Sequence, residues 1–223
     1  MNPDWPRGLY AITPDEADTE RLLARIEGVL QAGAAWLQYR NKAAGRDLRA
    51  QQARALQPLC RRHGVALIIN DDWRLAAAIG ADGAHLGQED GELAAARDAL
   101  DAGAILGASC YDSLELARAA CAAGASYVAF GAFFPSPTKP HARRASTQLL
   151  RDSAALGVPR VAIGGITPDN AKPLIDAGAD LLAVISGVFD APDPAAATRA
   201  YLACFDNPAD HVVDHPSQRS RIP

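Results

Sequence analysis

Seven times along this sequence an alanine-rich helical stretch ends at a glycine and gives way to a short apolar segment. The junction glycines are Gly33, Gly64, Gly80, Gly103, Gly124, Gly157 and Gly178. Glycine suits these places because the residue after a helix often turns left-handed, a conformation that opposes a side chain. The apolar segments that follow, residues 35–39, 65–69, 83–86, 104–106, 126–130, 160–163 and 180–185, do not alternate with polar positions as half-exposed strands do. They read as strands covered on both faces. With residues 8–13 they make eight, and amphipathic stretches at 20–31, 46–62 and 114–123 lie between them. A β-then-α order repeated eight times predicts the α/β class and a (β/α)8 TIM barrel, as one domain over residues 1–206. A doubly wound open sheet is the competing architecture. It needs no eightfold repeat, and no Gly-x-Gly-x-x-Gly opens the first helix.

The remaining composition narrows the partners. At 223 residues with 49% hydrophobic side chains, the chain can bury one full core. A net charge of −4 offers no footprint for nucleic acid or an anionic membrane, so an anion site must be local and its ligand small. No apolar run approaches the ~18 residues that span a bilayer. The opening residues Met1-Asn2-Pro3-Asp4-Trp5 lack the basic and apolar regions of a signal peptide, and a cytoplasmic protein is expected. Cys60, Cys110, Cys121 and Cys204 show no metal-ligand spacing and read as reduced thiols. Residues 207–223 carry three prolines and no apolar periodicity, so a tail without stable structure is expected there. Self-association is left open.

Lysine is rare: three lysines stand against nineteen arginines. Two of the three, Lys42 and Lys139, fall just past expected strands, in Gln38-Tyr39-Arg40-Asn41-Lys42 and Pro135-Ser136-Pro137-Thr138-Lys139. Where arginine carries the surface charge, a lysine in a polar cluster suits a compact point charge facing an anion. A small phosphorylated substrate is the expectation. A barrel of this kind builds its site at the C-terminal strand ends, and polar residues crowd there. In an extended segment Gln38, Arg40 and Lys42 project to one side. The third strand is followed by Asn70-Asp71-Asp72, which could equally cap the helix over 73–79. The fourth is followed by Gly87-Gln88-Glu89-Asp90, and His85 packs within it. Two carboxylates beside a pyrophosphate make a magnesium site, since magnesium takes hard oxygen ligands and keeps several waters. Ser109 follows the fifth strand, where it donates to a ligand or caps the next helix. Gly164-Gly165 and Ile185-Ser186-Gly187 follow the last two strands, the usual phosphate cradle of this barrel.

Taken together, Gln38-x-Arg40-x-Lys42, Asn70-Asp71, Gly87-Gln88-Glu89-Asp90, Pro137-Thr138-Lys139, Gly164-Gly165-Ile166 and Ile185-Ser186 resemble the thiamine-phosphate synthase family, over residues 8–187. The resemblance implies condensation of 4-amino-5-hydroxymethyl-2-methylpyrimidine diphosphate with a thiazole phosphate, giving thiamine phosphate and pyrophosphate with magnesium. It implies that Gln38, Arg40, Lys42, Asn70, Ser109 and Lys139 hold the pyrimidine diphosphate, with Tyr39, Asn41 and Pro137 also expected among the substrate-binding residues. Ser136, Thr138, Gly165, Ile185 and Ser186 would hold the thiazole phosphate, and Asp71 and Asp90 the magnesium. Arg40, Lys42, Ser109 and Lys139 are the expected catalytic groups. Two departures stand out: Ser136 replaces a common threonine, and Ser109-Cys110-Tyr111-Asp112 lacks the family's frequent histidine–threonine pair. A thiazole tautomerase and a non-catalytic binding barrel share the scaffold and remain the rival readings.

Overall fold

The computed structural model describes residues 5–90, 92–135 and 144–206. Ser136, Pro137, Thr138 and Lys139, and the tail expected over residues 207–223, lie outside the described residues. Eight parallel strands close in sequence order into a barrel: β1 (Gly8–Ile12), β2 (Trp36–Tyr39), β3 (Ala66–Asn70), β4 (Gly83–Leu86), β5 (Ile105–Tyr111), β6 (Tyr127–Phe130), β7 (Arg160–Ile163) and β8 (Leu181–Val184). The first and last strands pair through Gly8 to Ala11 against Leu181 to Val184, which closes the ring. Around it run α1 (Thr19–Gln31), α2 (Arg46–His63), α3 (Trp73–Ile79), α4 (Leu93–Ala99), α5 (Leu114–Ala122), α6 (Thr147–Asp152), α7 (Pro168–Asp176), α8 (Ser186–Phe189) and α9 (Pro194–Ala203). No helix among the described residues is long and apolar enough to cross a membrane.

Two hydrophobic layers hold this arrangement. The larger lies between barrel and helices and contains Leu9, Leu37, Leu67, Leu106, Phe130 and Leu182 from the strands, facing Ile26, Leu56 and Leu174 from the helices. Strands alternate, so the intervening residues point inward and form the second layer: Tyr10, Trp36, Ile68, Tyr127, Val161 and Leu181. Burying each such side chain contributes about 1.5–3 kcal/mol. Tyr10, Trp36 and Tyr127 pack edge-to-face or tilted, with ring centroids 5.0–5.9 Å apart. Their bulk is accommodated at Gly107, where a Cβ would fall 1.9 Å from Tyr127 Cζ.

Of the junction glycines, six take positive φ; Gly103 is the exception. The strands match the expected segments to within a residue at most ends, with one correction. The fifth strand, expected over 104–106, runs on to Tyr111. Gly107, Ala108 and Ser109 have weak strand propensity, yet pairing with Tyr127 to Ala129 of β6 carries the ladder through them. Ser109 therefore sits inside β5, not after it. A register shift between Ser109 and Tyr111 then bends the strand at the barrel mouth.

Candidate active site at the C-terminal barrel mouth

The segment that leaves β2 is held from both sides. Thr13, fully buried after β1, accepts from Arg40 N at 2.8 Å and donates to Arg40 O at 2.7 Å. Asp15 accepts from Arg40 Nη1 at 3.1 Å and from Lys42 N at 2.6 Å. Behind it, Glu16 binds Arg21 through two contacts of 2.6 and 2.7 Å, and the Arg21 guanidinium holds its carboxyl down to about 2. The expected alternation is kept, but it divides the cluster. Tyr39 Oη and Asn41 Nδ2 both donate to Gln52 Oε1 of α2, at 2.8 and 3.0 Å, on the helix side of the strand. Tyr39 and Asn41, expected among the substrate-binding residues, are held by these bonds to Gln52 and also line a cleft at the barrel mouth. Gln38 turns inward to Tyr10 Oη at 2.8 Å, while Lys42 Nζ reaches Asp71 Oδ2 at 3.0 Å.

The ambiguity over Asn70-Asp71-Asp72 is resolved by geometry. Asp72 caps α3, accepting from Leu75 N at 2.9 Å, so Asp71 is not needed for that purpose. Asp71 adopts φ 64°, an uncommon conformation for a non-glycine residue that projects it at the barrel mouth. A polar cleft between the loops after β2 and β3 is lined by Asn41, Lys42, Asn70 and Asp71. Across from it, Asp90 Oδ2 accepts from Gly87 N at 2.7 Å. Burial and the adjoining Asp71 carboxyl push the Asp90 carboxyl above its usual range, opposed by the Gly87 N–H and the Lys42 ammonium. Two carboxyls in this relation favour a shared cation or proton. Their hard oxygens suit magnesium, which draws the rest of its shell from water and phosphate. Among the described residues, no group of three or more His, Cys, Asp or Glu is arranged to enclose a metal on its own.

On the other side of the mouth, Gly164 and Gly165 take φ 102° and 63°. A Cβ on Gly165 would lie 2.3 Å from Pro135 O, so only glycine permits the loop after β6 to pack there. Phe133 N and Phe134 N donate to Ile163 O and Gly164 O, fastening that loop to β7 at 3.1 and 2.9 Å. Thr167-Pro168 begins α7, with Thr167 N donating to Asn170 Oδ1 at 2.8 Å. Ile185 precedes Ser186 at the start of α8. Tyr201 of α9 donates to Ile166 O at 2.9 Å and lies where a Gly187 Cβ would meet its oxygen at 2.2 Å, so one side chain braces both loops. Thr13, Asp15, Glu16 and Tyr201 were not singled out from sequence; Thr13-Pro14-Asp15-Glu16 at the first strand end was the available signal. His85, read as packing, does more: its ring bridges Tyr127 Oη at 2.8 Å and Ser109 Oγ at 2.9 Å. Burial pushes its imidazole down to about 4, so it is neutral at pH 7.

A family model described as thiamine monophosphate synthase matches residues 9–188. The chain belongs to the thiamine monophosphate synthase family. Within this family it is 58% identical to a thiamine-phosphate synthase of Chromobacterium violaceum over 203 residues, covering 91% of this chain and 98% of the relative. It is 61% identical to a thiamine-phosphate synthase of Xanthomonas campestris over 199 residues, covering 89% and 96%. Among solved structures, thiamine phosphate pyrophosphorylase from Pyrococcus furiosus superposes with a TM-score of 0.77 at 33% identity, covering 89% of this chain and 95% of that one.

Proposed function

We infer that the chain is a transferase that joins 4-amino-5-hydroxymethyl-2-methylpyrimidine diphosphate to a thiazole phosphate, releasing pyrophosphate and forming thiamine phosphate. The observation that carries this reading is identity of 58–61% with thiamine-phosphate synthases over about nine-tenths of the chain. The barrel mouth offers matching chemistry. As the carbon–oxygen bond to the diphosphate breaks, negative charge grows on the leaving group, and preorganised cations stabilise it most where water is thinned. Arg40, fixed by Thr13 and Asp15, and Lys42, beside Asp71, would meet that charge. Lys139 would join them from the loop after β6. Ser109 and Gln38 would orient the pyrimidine, and Gly165, Ile185 and Ser186 would bind the thiazole phosphate through backbone and hydroxyl donors.

A magnesium ion held by Asp71 and Asp90 would supply further charge neutralisation on the diphosphate. No protein nucleophile enters this scheme, because the departing diphosphate leaves a pyrimidine cation that the thiazole nitrogen captures. The four cysteines are free, which suits the cytoplasmic setting we assign. The test is direct. Purified protein incubated with both substrates and magnesium should form thiamine phosphate, separated and quantified by chromatography, and chelation of the metal should stop it. Isomerisation of the thiazole without the pyrimidine, and no coupled product, would overturn the reading in favour of a tautomerase.

A further inference from the structure

Five polar side chains from five strands form one hydrogen-bonded chain across the inside of the barrel. Gln38 of β2 donates through Nε2 to Tyr10 of β1 at 2.8 Å. Tyr10 Oη lies 2.8 Å from Tyr127 Oη of β6, Tyr127 Oη lies 2.8 Å from His85 Nδ1 of β4, and His85 Nε2 lies 2.9 Å from Ser109 Oγ of β5. The middle of this chain is buried, with Tyr10 at 1% exposure and Tyr127 at 0%. An interior needing only stability is filled by Val, Ile and Leu. A polar chain there tolerates no missing partner, so its presence calls for a reason beyond packing.

Counting protons gives the chain a direction. Each phenol owns one proton, and so does an imidazole that is buried with its two nitrogens facing a phenol and a serine hydroxyl, neither of them a carboxylate. With Gln38 Nε2 facing Tyr10, every partner is satisfied when the proton of Tyr10 goes to Tyr127 and that of Tyr127 goes to His85 Nδ1. The imidazole then carries its proton on Nε2 and donates to Ser109. Ser109 accepts from within, and its own O–H is released toward the mouth; among the described residues Oγ has no second partner. At the opposite end Gln38 Oε1 is left as an acceptor. Alone, a serine hydroxyl can donate or accept and a glutamine amide can present either end. Linked in this way, each is fixed.

We propose that Tyr10, Tyr127 and His85 are positioning residues that set Ser109 as a hydrogen-bond donor and Gln38 as an acceptor toward the aminopyrimidine of the diphosphate substrate. That ring has the complementary pattern, acceptor nitrogens beside an exocyclic amine that donates. Orienting two ligand-facing groups before substrate arrives lowers the barrier that reorganisation would otherwise add. The proposal rests on the transferase reading above, and deepens it by naming what selects the pyrimidine.

Tyr127→Phe cuts the chain while keeping the ring that packs on Tyr10, Trp36 and His85. It should lower kcat/KM for the pyrimidine diphosphate by ~10-fold or more and leave KM for the thiazole phosphate at the parent value. Tyr10→Phe removes the link that joins Gln38 to the chain and serves if the first variant folds poorly. Its loss should vanish in a Gln38→Ala background and persist in a Ser109→Ala background, because coupled groups are non-additive and uncoupled ones add. A purely structural role would instead lower the melting temperature and affect both substrates alike. Parent-like kinetics for Tyr127→Phe, equal losses for both substrates, or a Tyr10→Phe effect of one size in both backgrounds would each overturn the proposal alone. A parent enzyme that makes no thiamine phosphate would overturn the transferase reading and this inference with it.

Discussion

Lys42 and Lys172 are alike in exposure, at 58% and 57%, and differ in what they meet. Lys172 pairs with Asp176 one turn along α7, a contact that exposed helices make routinely for a few tenths of a kcal/mol. Lys42 instead reaches from the loop after β2 to a carboxylate on the loop after β3, at the strand ends where the site is built. Lys42→Met should therefore lower kcat/KM for the pyrimidine diphosphate by at least ~10-fold, since a charge-assisted contact to phosphate is worth roughly 1.5–3 kcal/mol. Lys172→Met should match the parent in the same steady-state assay; equal kinetics for both would remove Lys42 from the site. The adjacent aspartates separate in the same manner. Asp71→Asn and Asp90→Asn should each reduce magnesium-dependent turnover by ~10²-fold while circular dichroism stays unchanged. Asp72→Asn should retain turnover, because asparagine caps a helix as well as aspartate does.

The loop between β1 and α1 works as a buttress for the cationic segment. Glu16 is 7% exposed; its side chain accepts from Arg21 and Asp18 N, and its carbonyl accepts from Asn41 Nδ2 at 2.7 Å and Gln52 Nε2 at 3.0 Å. Its pKa falls from 4.5 to about 2 in the folded protein. A carboxyl depressed in this way contributes stability that is complete above the unfolded value and is lost as pH drops through the folded one. Thermal melts should show that loss between pH 4.5 and about 2, and Glu16→Gln should lower the melting temperature at pH 7 while removing that part of the acid dependence. Such elements mark where the sequence stops being legible. Glycine junctions and apolar segments exposed the eightfold repeat because both follow from local backbone conformation and burial on two faces. The extent of β5 was hidden because Gly107 to Ser109 owe their strand conformation to pairing with β6, a long-range contact with no local trace. The motif names Tyr39 and Asn41 as positions, but their bonds to Gln52 of α2 join residues 11 and 13 apart and leave no mark in the local pattern. Asp71 and Asp72 could be told apart only once one of them was seen capping α3.

A closed barrel makes the site a property of the whole chain. Gln38, Asn70, Asp71, Asp90, Ser109, Gly165 and Ser186 come from six different strands or the loops that follow them, and the ring from β1 to β8 fixes their spacing. No part of that constellation survives if the ring opens, so a ligand bound at the mouth stabilises the entire fold. The gain is RT ln(1 + [L]/Kd), about 2.7 kcal/mol when ligand stands at 100 times Kd. For a domain of roughly 200 residues, each kcal/mol moves the melting temperature by about 2–4 °C. Pyrophosphate with magnesium, at 100 times the measured Kd, should then raise the melting temperature by ~5–10 °C. Pyrophosphate with chelator should do much less, because mutual repulsion would then oppose its approach to Asp71 and Asp90. In Asp90→Asn the increment specific to magnesium should disappear even though the variant folds, and scanning calorimetry reads this without turnover. A parent whose melting temperature responds equally to pyrophosphate with and without magnesium would show that the two carboxylates serve another purpose.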